Sequence, residues 1–194
     1  MRRRSSGLSF YREKKKINIG LLKEIAVWAA EIALTIAAAV IMVFFFGFRV
    51  TVIGPSMSPT LNGGEKVLVN RFVYKLFEPR QNDLIVFQPN GNEKSHYYVK
   101  RVIALPGDTV QIKDGEVYVN GELFTEQIEV EAIENAMMAE NEILVGEDEY
   151  FVLGDNRNNS EDSRYASIGN VKKEHITGEA WMVIFPWDRI SLLK

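Results

Sequence analysis

Between Ile32 and Phe48 the chain carries no charged side chain, and Thr35 is the only hydroxyl. A surface helix of a globular domain keeps a polar face, and this run has none. Its 17 residues span about 25 Å as a helix, slightly less than a hydrocarbon core, and Ala26–Ala30 extend it to a full crossing. Glu31 then falls near one boundary, within reach of headgroups. The pattern predicts a transmembrane helix over residues 25–48. A cleaved leader would have a shorter apolar core followed by small residues. Here the run ends in Phe44–Phe46 and Arg49, and Ala37–Ala39 lies inside the span, so the segment reads as an uncleaved anchor.

Beyond residue 48 the period changes. Alternating or β-branched runs recur at Arg49–Ile53, Lys66–Val69, Leu84–Gln88, Tyr97–Leu105, Val110–Ile112, Val117–Val119, Tyr150–Leu153 and Ala180–Phe185. Asp114-Gly115 and Asn120-Gly121 are tight-turn dipeptides, so Thr109–Phe124 is expected to be a meander of short antiparallel strands. Only Ile133–Asn141 has helical character. Residues 113–148 are acid-rich and offer no catalytic candidate, which marks them as a small β-rich insert. The expected architecture is mainly β: an antiparallel sheet domain over 49–194 behind one membrane helix.

Charge sharpens the division. Formal net charge is -3 over 194 residues, but residues 1–48 hold 8 basic and 3 acidic side chains, and the remainder holds 15 and 23. A basic stretch could meet nucleic acid or a membrane surface; the apolar run after it favours the membrane, and no nucleic-acid partner is expected. The positive-inside bias places the basic tail, residues 1–24, in the cytoplasm and 49–194 outside. There is no cysteine, which excludes disulfides, a cysteine nucleophile and thiolate metal sites, and the two histidines are far apart. Neither a metal nor a cofactor is expected.

Three polar segments stand out: Gly54-Pro55-Ser56-Met57-Ser58-Pro59-Thr60-Leu61; Tyr97-Tyr98-Val99-Lys100-Arg101 running into Ala104-Leu105-Pro106-Gly107-Asp108; and Gly154-Asp155-Asn156-Arg157 through Tyr165. Singly, each has a plain explanation as a turn, a solvated strand lysine or a surface loop. Lys100 is the oddity, because it sits inside an apolar, aromatic strand. Alternation puts it on one face with Tyr98 and Val102. If that face is buried, the amine loses hydration and its pKa falls. A neutral lysine is a competent base for a serine hydroxyl, and serine–lysine pairs are a known variant of the serine–histidine–aspartate arrangement.

In these segments the chain closely resembles the type I signal peptidases, membrane-anchored serine proteases that remove signal peptides from exported proteins. Ser56 through Leu61 is similar to the family's nucleophile box. Lys100-Arg101 with Leu105-Pro106-Gly107-Asp108 is similar to its general-base box, and Gly154 through Arg157 with Ser160, Asp162, Ser163 and Arg164 to its last box. The resemblance runs from residue 25 to about 187, the insert excepted. It implies Ser56 as nucleophile, Lys100 as base and Ser160 as the group that orients the lysine amine. It implies Arg101 paired with Asp155, Asp162 paired with Arg164, and the Ser56 N–H in the oxyanion hole. It also implies shallow substrate pockets lined by Val52, Ile53, Met57, Leu61, Tyr98 and Val99, and exported preproteins as partners. Some members carry a serine two residues before the nucleophile as a further oxyanion donor; here that position is Gly54.

Several readings stay open. His96 precedes the lysine strand, and relatives in the endoplasmic reticulum use histidine as base, but Lys100 stands in the lysine register. Phe72, Tyr74, Phe77, Trp181, Phe185 and Trp187 fit either the core or an apolar rim resting on a bilayer, where aromatics are favoured. A self-cleaving repressor-type peptidase would share the chemistry but needs no membrane span. An anchored non-catalytic module would not need Ser56, Lys100 and Ser160 intact.

Overall fold

A computed structural model describes residues 19–193. The chain divides into two units at Phe46/Gly47. The first contains α1, Ile19–Phe46. Within it Gly20–Val43 is long and apolar enough to cross a membrane. Its large apolar side chains, among them Leu21, Trp28, Leu34 and Met42, are exposed, an arrangement suited to lipid rather than water. Thr35 donates back to the Glu31 carbonyl at 2.8 Å, so the hydroxyl in the apolar stretch is satisfied within the helix. The helix starts six residues earlier than the sequence pattern suggests and stops at Phe46. Gly47 is a bend, and Phe48 already pairs with Val69 as strand.

The second unit is built from antiparallel strands. In chain order they are β1 (Phe48–Thr51), β2 (Lys66–Asn70), β3 (Leu84–Phe87), β4 (Tyr98–Ala104), β5 (Thr109–Lys113), β6 (Glu116–Val119), β7 (Glu122–Leu123), β8 (Ile143–Leu144), β9 (Glu149–Leu153), β10 (Val171–Lys172), β11 (Ile176–Phe185) and β12 (Ser191–Leu192). A short helix, α2 (Val73–Leu76), follows β2. The large sheet runs β1-β2-β11-β3-β4-β9-β10, with β12 against β11; the small one runs β7-β6-β5-β8. The fold is therefore mainly β behind one apolar helix, as the hydrophobic pattern suggests. The small sheet begins at Thr109.

The Asp114-Gly115 and Asn120-Gly121 turns have φ between +51° and +82° at all four positions, the left-handed pair that tight hairpins require. Ile133–Asn141 does not form an α-helix. Met137 has φ +51°, its amide is taken by the Asn135 side chain at 3.0 Å, and only a 3-10 turn, Met137–Glu140, remains. Phe72, Phe77, Phe185 and Trp187 are exposed, so the core reading fails for these four; Tyr74 and Trp181 are half-buried.

The large sheet buries Val50, Val67, Val69, Leu84, Val86 and Val183 in one cluster and Ile85, Phe87, Val102, Tyr150 and Val152 in another. β4 runs through the middle of this sheet, Tyr98 to Arg101 paired with β3 and Arg101 to Ala104 with β9. A side chain on β4 is thus held by paired backbone on both sides.

Candidate active site

The turn after β1 is closed by its own backbone. Ser58 N–H donates to the Pro55 carbonyl at 3.0 Å and Leu61 N–H to the Met57 carbonyl at 2.8 Å. The Asn62 N–H donates to the Glu65 carboxylate at 3.1 Å, and Glu65 in turn accepts from Arg189 at 2.9 Å. This winding turns Met57 and Leu61 inward. Both are fully buried in the core cluster with Val50 and Val67 and do not line a cleft, which corrects the pocket expected from the sequence. The family resemblance implies a pocket role for both, whereas the tightness of the turn sets their direction.

Ser56 faces β4. The Lys100 amine donates to its hydroxyl at 2.7 Å, although the two residues are 44 apart in sequence. Lys100 is 2% exposed. Burial pulls its pKa from 10.5 down to about 8; Asp162, Glu161 and Asp155 resist that fall through their charges, and Arg164 adds to it. Desolvation wins because none of those carboxylates forms an ion pair with the amine.

A cleft of about 190 Å³ opens beside this pair. Its walls are Val52, Ile53, Ser56, His96, Tyr97, Tyr98, Val99, Lys100 and Glu161. His96 therefore borders the cleft, but its exposed side chain forms no hydrogen bond to Ser56; that hydroxyl is taken by Lys100. His175 lies elsewhere, against Gly91. Gly54 has φ +73°, a backbone state that glycine adopts without strain.

The loop after β9 backs the site. Arg101 donates to both oxygens of Asp155 at 2.8 Å, with neither side chain exposed. Arg164 likewise grips Asp162 at 2.8 and 2.9 Å, and Asp162 also accepts the Gly154 N–H at 3.0 Å. Gly154 must be glycine on steric grounds. A Cβ there would lie 2.1 Å from the Ser160 hydroxyl and 2.5 Å from the Ser56 carbonyl oxygen. Ser160 is buried, yet its hydroxyl has no hydrogen-bond partner. The bond to Lys100 that the family resemblance implies is not formed; the amine donates to Ser56.

Two further residues hold this loop. Asn156 donates from its N–H to the Ser56 carbonyl at 3.1 Å and from its side chain to the Pro55 carbonyl at 3.2 Å, so it pins the turn that carries Ser56. Arg157 donates to the Gly154 carbonyl at 3.1 Å and pairs bidentately with Glu126. Asn156 stands within the segment similar to the family's last box, but the sequence assigns it no role. Glu126 comes from the segment set aside as an insert, and no local pattern marks it.

A buried amine on a serine hydroxyl, set on a β-sheet behind an apolar helix, is an arrangement suited to a serine–lysine hydrolase. Comparison with known proteins gives the lineage. The family model described as "Signal peptidase, peptidase S26" matches residues 25–187. A crystal structure of a signal peptidase I from Enterococcus faecalis is 31% identical, covering 54% of this chain and 97% of that one, with a TM-score of 0.41. Signal peptidase I P of Bacillus subtilis subsp. natto is 40% identical over 170 residues, covering 82% of this chain and 90% of that protein. Signal peptidase I T of Bacillus subtilis is 34% identical over 188 residues, 93% of each. By its match to the family model and to these relatives, the chain belongs to the signal peptidase family, peptidase S26. That membership makes it a peptidase that cleaves signal peptides from preproteins, and α1 fits a membrane anchor.

Proposed function

We propose that Ser56 is the nucleophile and Lys100 the general base of a membrane-bound endopeptidase that cuts preproteins after small residues. The observation that carries this reading is the 2.7 Å contact between a buried amine and a serine hydroxyl. With its pKa near 8, Lys100 is neutral in a useful fraction of molecules at slightly alkaline pH. In that form the hydroxyl donates to the amine, which takes the proton as Ser56 attacks the scissile carbonyl. The Ser56 N–H donates to the developing oxyanion. The charged lysine then gives its proton to the leaving amine, and the same amine activates water to hydrolyse the acyl-enzyme. Ser160, whose hydroxyl has no other partner, receives the lysine N–H as the amine leaves Ser56 and so orients it. Arg101–Asp155 and Asp162–Arg164 hold the scaffold.

The substrate lies extended between the chain at Val52–Ile53 and β4, so that the first and third side chains before the cut enter the cleft. Val52, Ile53, Tyr98 and Val99 leave room for little beyond a methyl group. The N-terminus is cytoplasmic and residues 49–194 lie outside, from the basic bias before the apolar helix. The exposed Phe72, Phe77, Phe185 and Trp187 support a surface that rests on the bilayer.

The test is cleavage of a purified preprotein by the full chain in detergent. Ser56→Ala, Lys100→Met and Lys100→Arg are each expected to lower kcat/KM by at least about 1,000-fold with an unchanged circular dichroism spectrum. A folded variant that retains more than a few per cent of the activity would overturn the dyad. Leu or Phe in place of Ala at the first position should be rejected, and Val52→Ala or Ile53→Ala should relax that rejection. Equal cleavage of Ala and Phe substrates would remove the pocket assignment.

A further inference from the structure

Glu161 stands between Ser160 and Asp162, inside the loop that backs the site, yet it is not among the residues that carry the family resemblance. Its neighbours in sequence are buried, whereas Glu161 itself is exposed and forms part of the cleft wall together with Ser56 and Lys100. The carboxylate is held at both oxygens. Ser167 donates to Oε1 at 2.9 Å, and the Tyr98 hydroxyl donates to Oε2 at the longer distance of 3.4 Å. Both donors are neutral. Among the described residues no lysine, arginine or histidine forms an ion pair with Glu161, unlike Asp155, Asp162 and Glu126 around it.

The cleft wall therefore carries an oriented negative charge that no ion pair among the described residues neutralises; the Lys100 amine in the same cleft feels it only at longer range. The other walls are apolar or aromatic, apart from the dyad and the exposed His96. Charge on such a wall is read by the ligand. A like charge on a bound peptide is repelled and partly desolvated with no partner, while an opposite charge gains one. We propose that Glu161 is a specificity-determining residue of this cleft, disfavouring acidic side chains in the bound peptide and favouring basic ones near the cut. The inference rests on the reading of the cleft as the peptide site, and it adds selection by charge to selection by size.

The experiment is a set of preprotein peptides with Ala at the first and third positions before the cut. Asp, Asn or Lys is placed in turn at the second position and at the first two positions after the cut. Values of kcat/KM are measured for wild type, Glu161→Gln and Glu161→Lys. At one or more positions wild type is expected to prefer Asn over Asp by roughly three- to tenfold, and Lys over Asn by a smaller factor, both shrinking as salt is raised. Glu161→Gln should bring the Asn/Asp ratio close to one there, and Glu161→Lys should invert it; the ratio is the readout, because loss of the Glu161 charge also lowers the Lys100 pKa and shifts the rates on all peptides by a common factor. A merely structural role would lower all peptides together. If wild type cuts the Asn peptides but its Asn/Asp ratio is unchanged by either substitution, the role of Glu161 is refuted and the cleft assignment stands. If wild type cuts none of the peptides but still processes a full preprotein, the cleft is not the peptide site and both readings fall.

Discussion

Lys100 and Arg101 are neighbours on β4, both cations and both almost sealed from water, at 2% and 0% exposure. Their surroundings are opposite. Arg101 donates two hydrogen bonds to Asp155 and a third to the Asn82 carbonyl at 3.0 Å. Lys100 has one serine hydroxyl and the face of Tyr98, 5.5 Å from the ring centre. A buried charge that is fully paired stays charged and serves as scaffold, whereas a buried charge that is left underpaired gives up its proton. The strand thus carries a fully paired and an underpaired cation one residue apart, the second being the base we propose, and the difference lies in what the last loop presents to each.

The largest effect is expected on the paired side. Asp155→Ala leaves the Arg101 guanidinium buried without a carboxylate, at a cost of about 3–5 kcal/mol. Urea unfolding of the isolated second unit, or proteolysis of the full chain, should register it. A loss under about 1 kcal/mol would mean that water reaches Arg101 and that the contrast with Lys100 is false.

On the underpaired side the sign reverses. Between pH 8 and about 10.4 the unfolded chain holds the Lys100 proton and the folded chain does not, so stability rises with pH across that window. Below pH 8 the folded state carries the whole penalty of burying the charge. Lys100→Met should therefore stabilise the protein at pH 7 by about 2–3 kcal/mol, and the gain should vanish above about pH 10.5. Destabilisation by this substitution at pH 7 would contradict the assignment of Lys100 as an underpaired charge.

A smaller effect is expected at the joint between the two. Asn156→Ala removes the side-chain bond to the Pro55 carbonyl and keeps the backbone bond to Ser56. Stability should fall by about 1 kcal/mol, and kcat should fall more than KM rises, since the turn holding Ser56 is loosened rather than the peptide cleft. A change in KM alone would place Asn156 in substrate binding instead.

Much of the sheet is legible from its apolar and β-branched runs, because the central strands β3, β4 and β9 are buried on both faces. Tyr97–Leu105 and Tyr150–Leu153 announce themselves in this way. The two-residue strands β7, β8, β10 and β12 do not, since a pair such as Val171-Lys172 becomes strand only through its partners Tyr150 and Glu149. The helical reading of Ile133–Asn141 fails at one residue, Asn135, whose side chain competes for the backbone. Around Lys100 the sequence shows a lysine out of keeping with its strand, but not what faces it. Composition near Ser56 names Met57 and Leu61 as apolar without saying which way they point. The bond between Arg157 and Glu126 joins residues 31 apart, and no local signal encodes it.

The central claim is that burial without a partner makes Lys100 a base. The measurement closest to it is the pH dependence of kcat/KM for a preprotein with Ala at the first and third positions before the cut. Activity should rise tenfold per pH unit below an apparent pKa near 8 and level off above it. A profile governed by a group near pH 4, or one that climbs without a break to pH 10, would contradict the account.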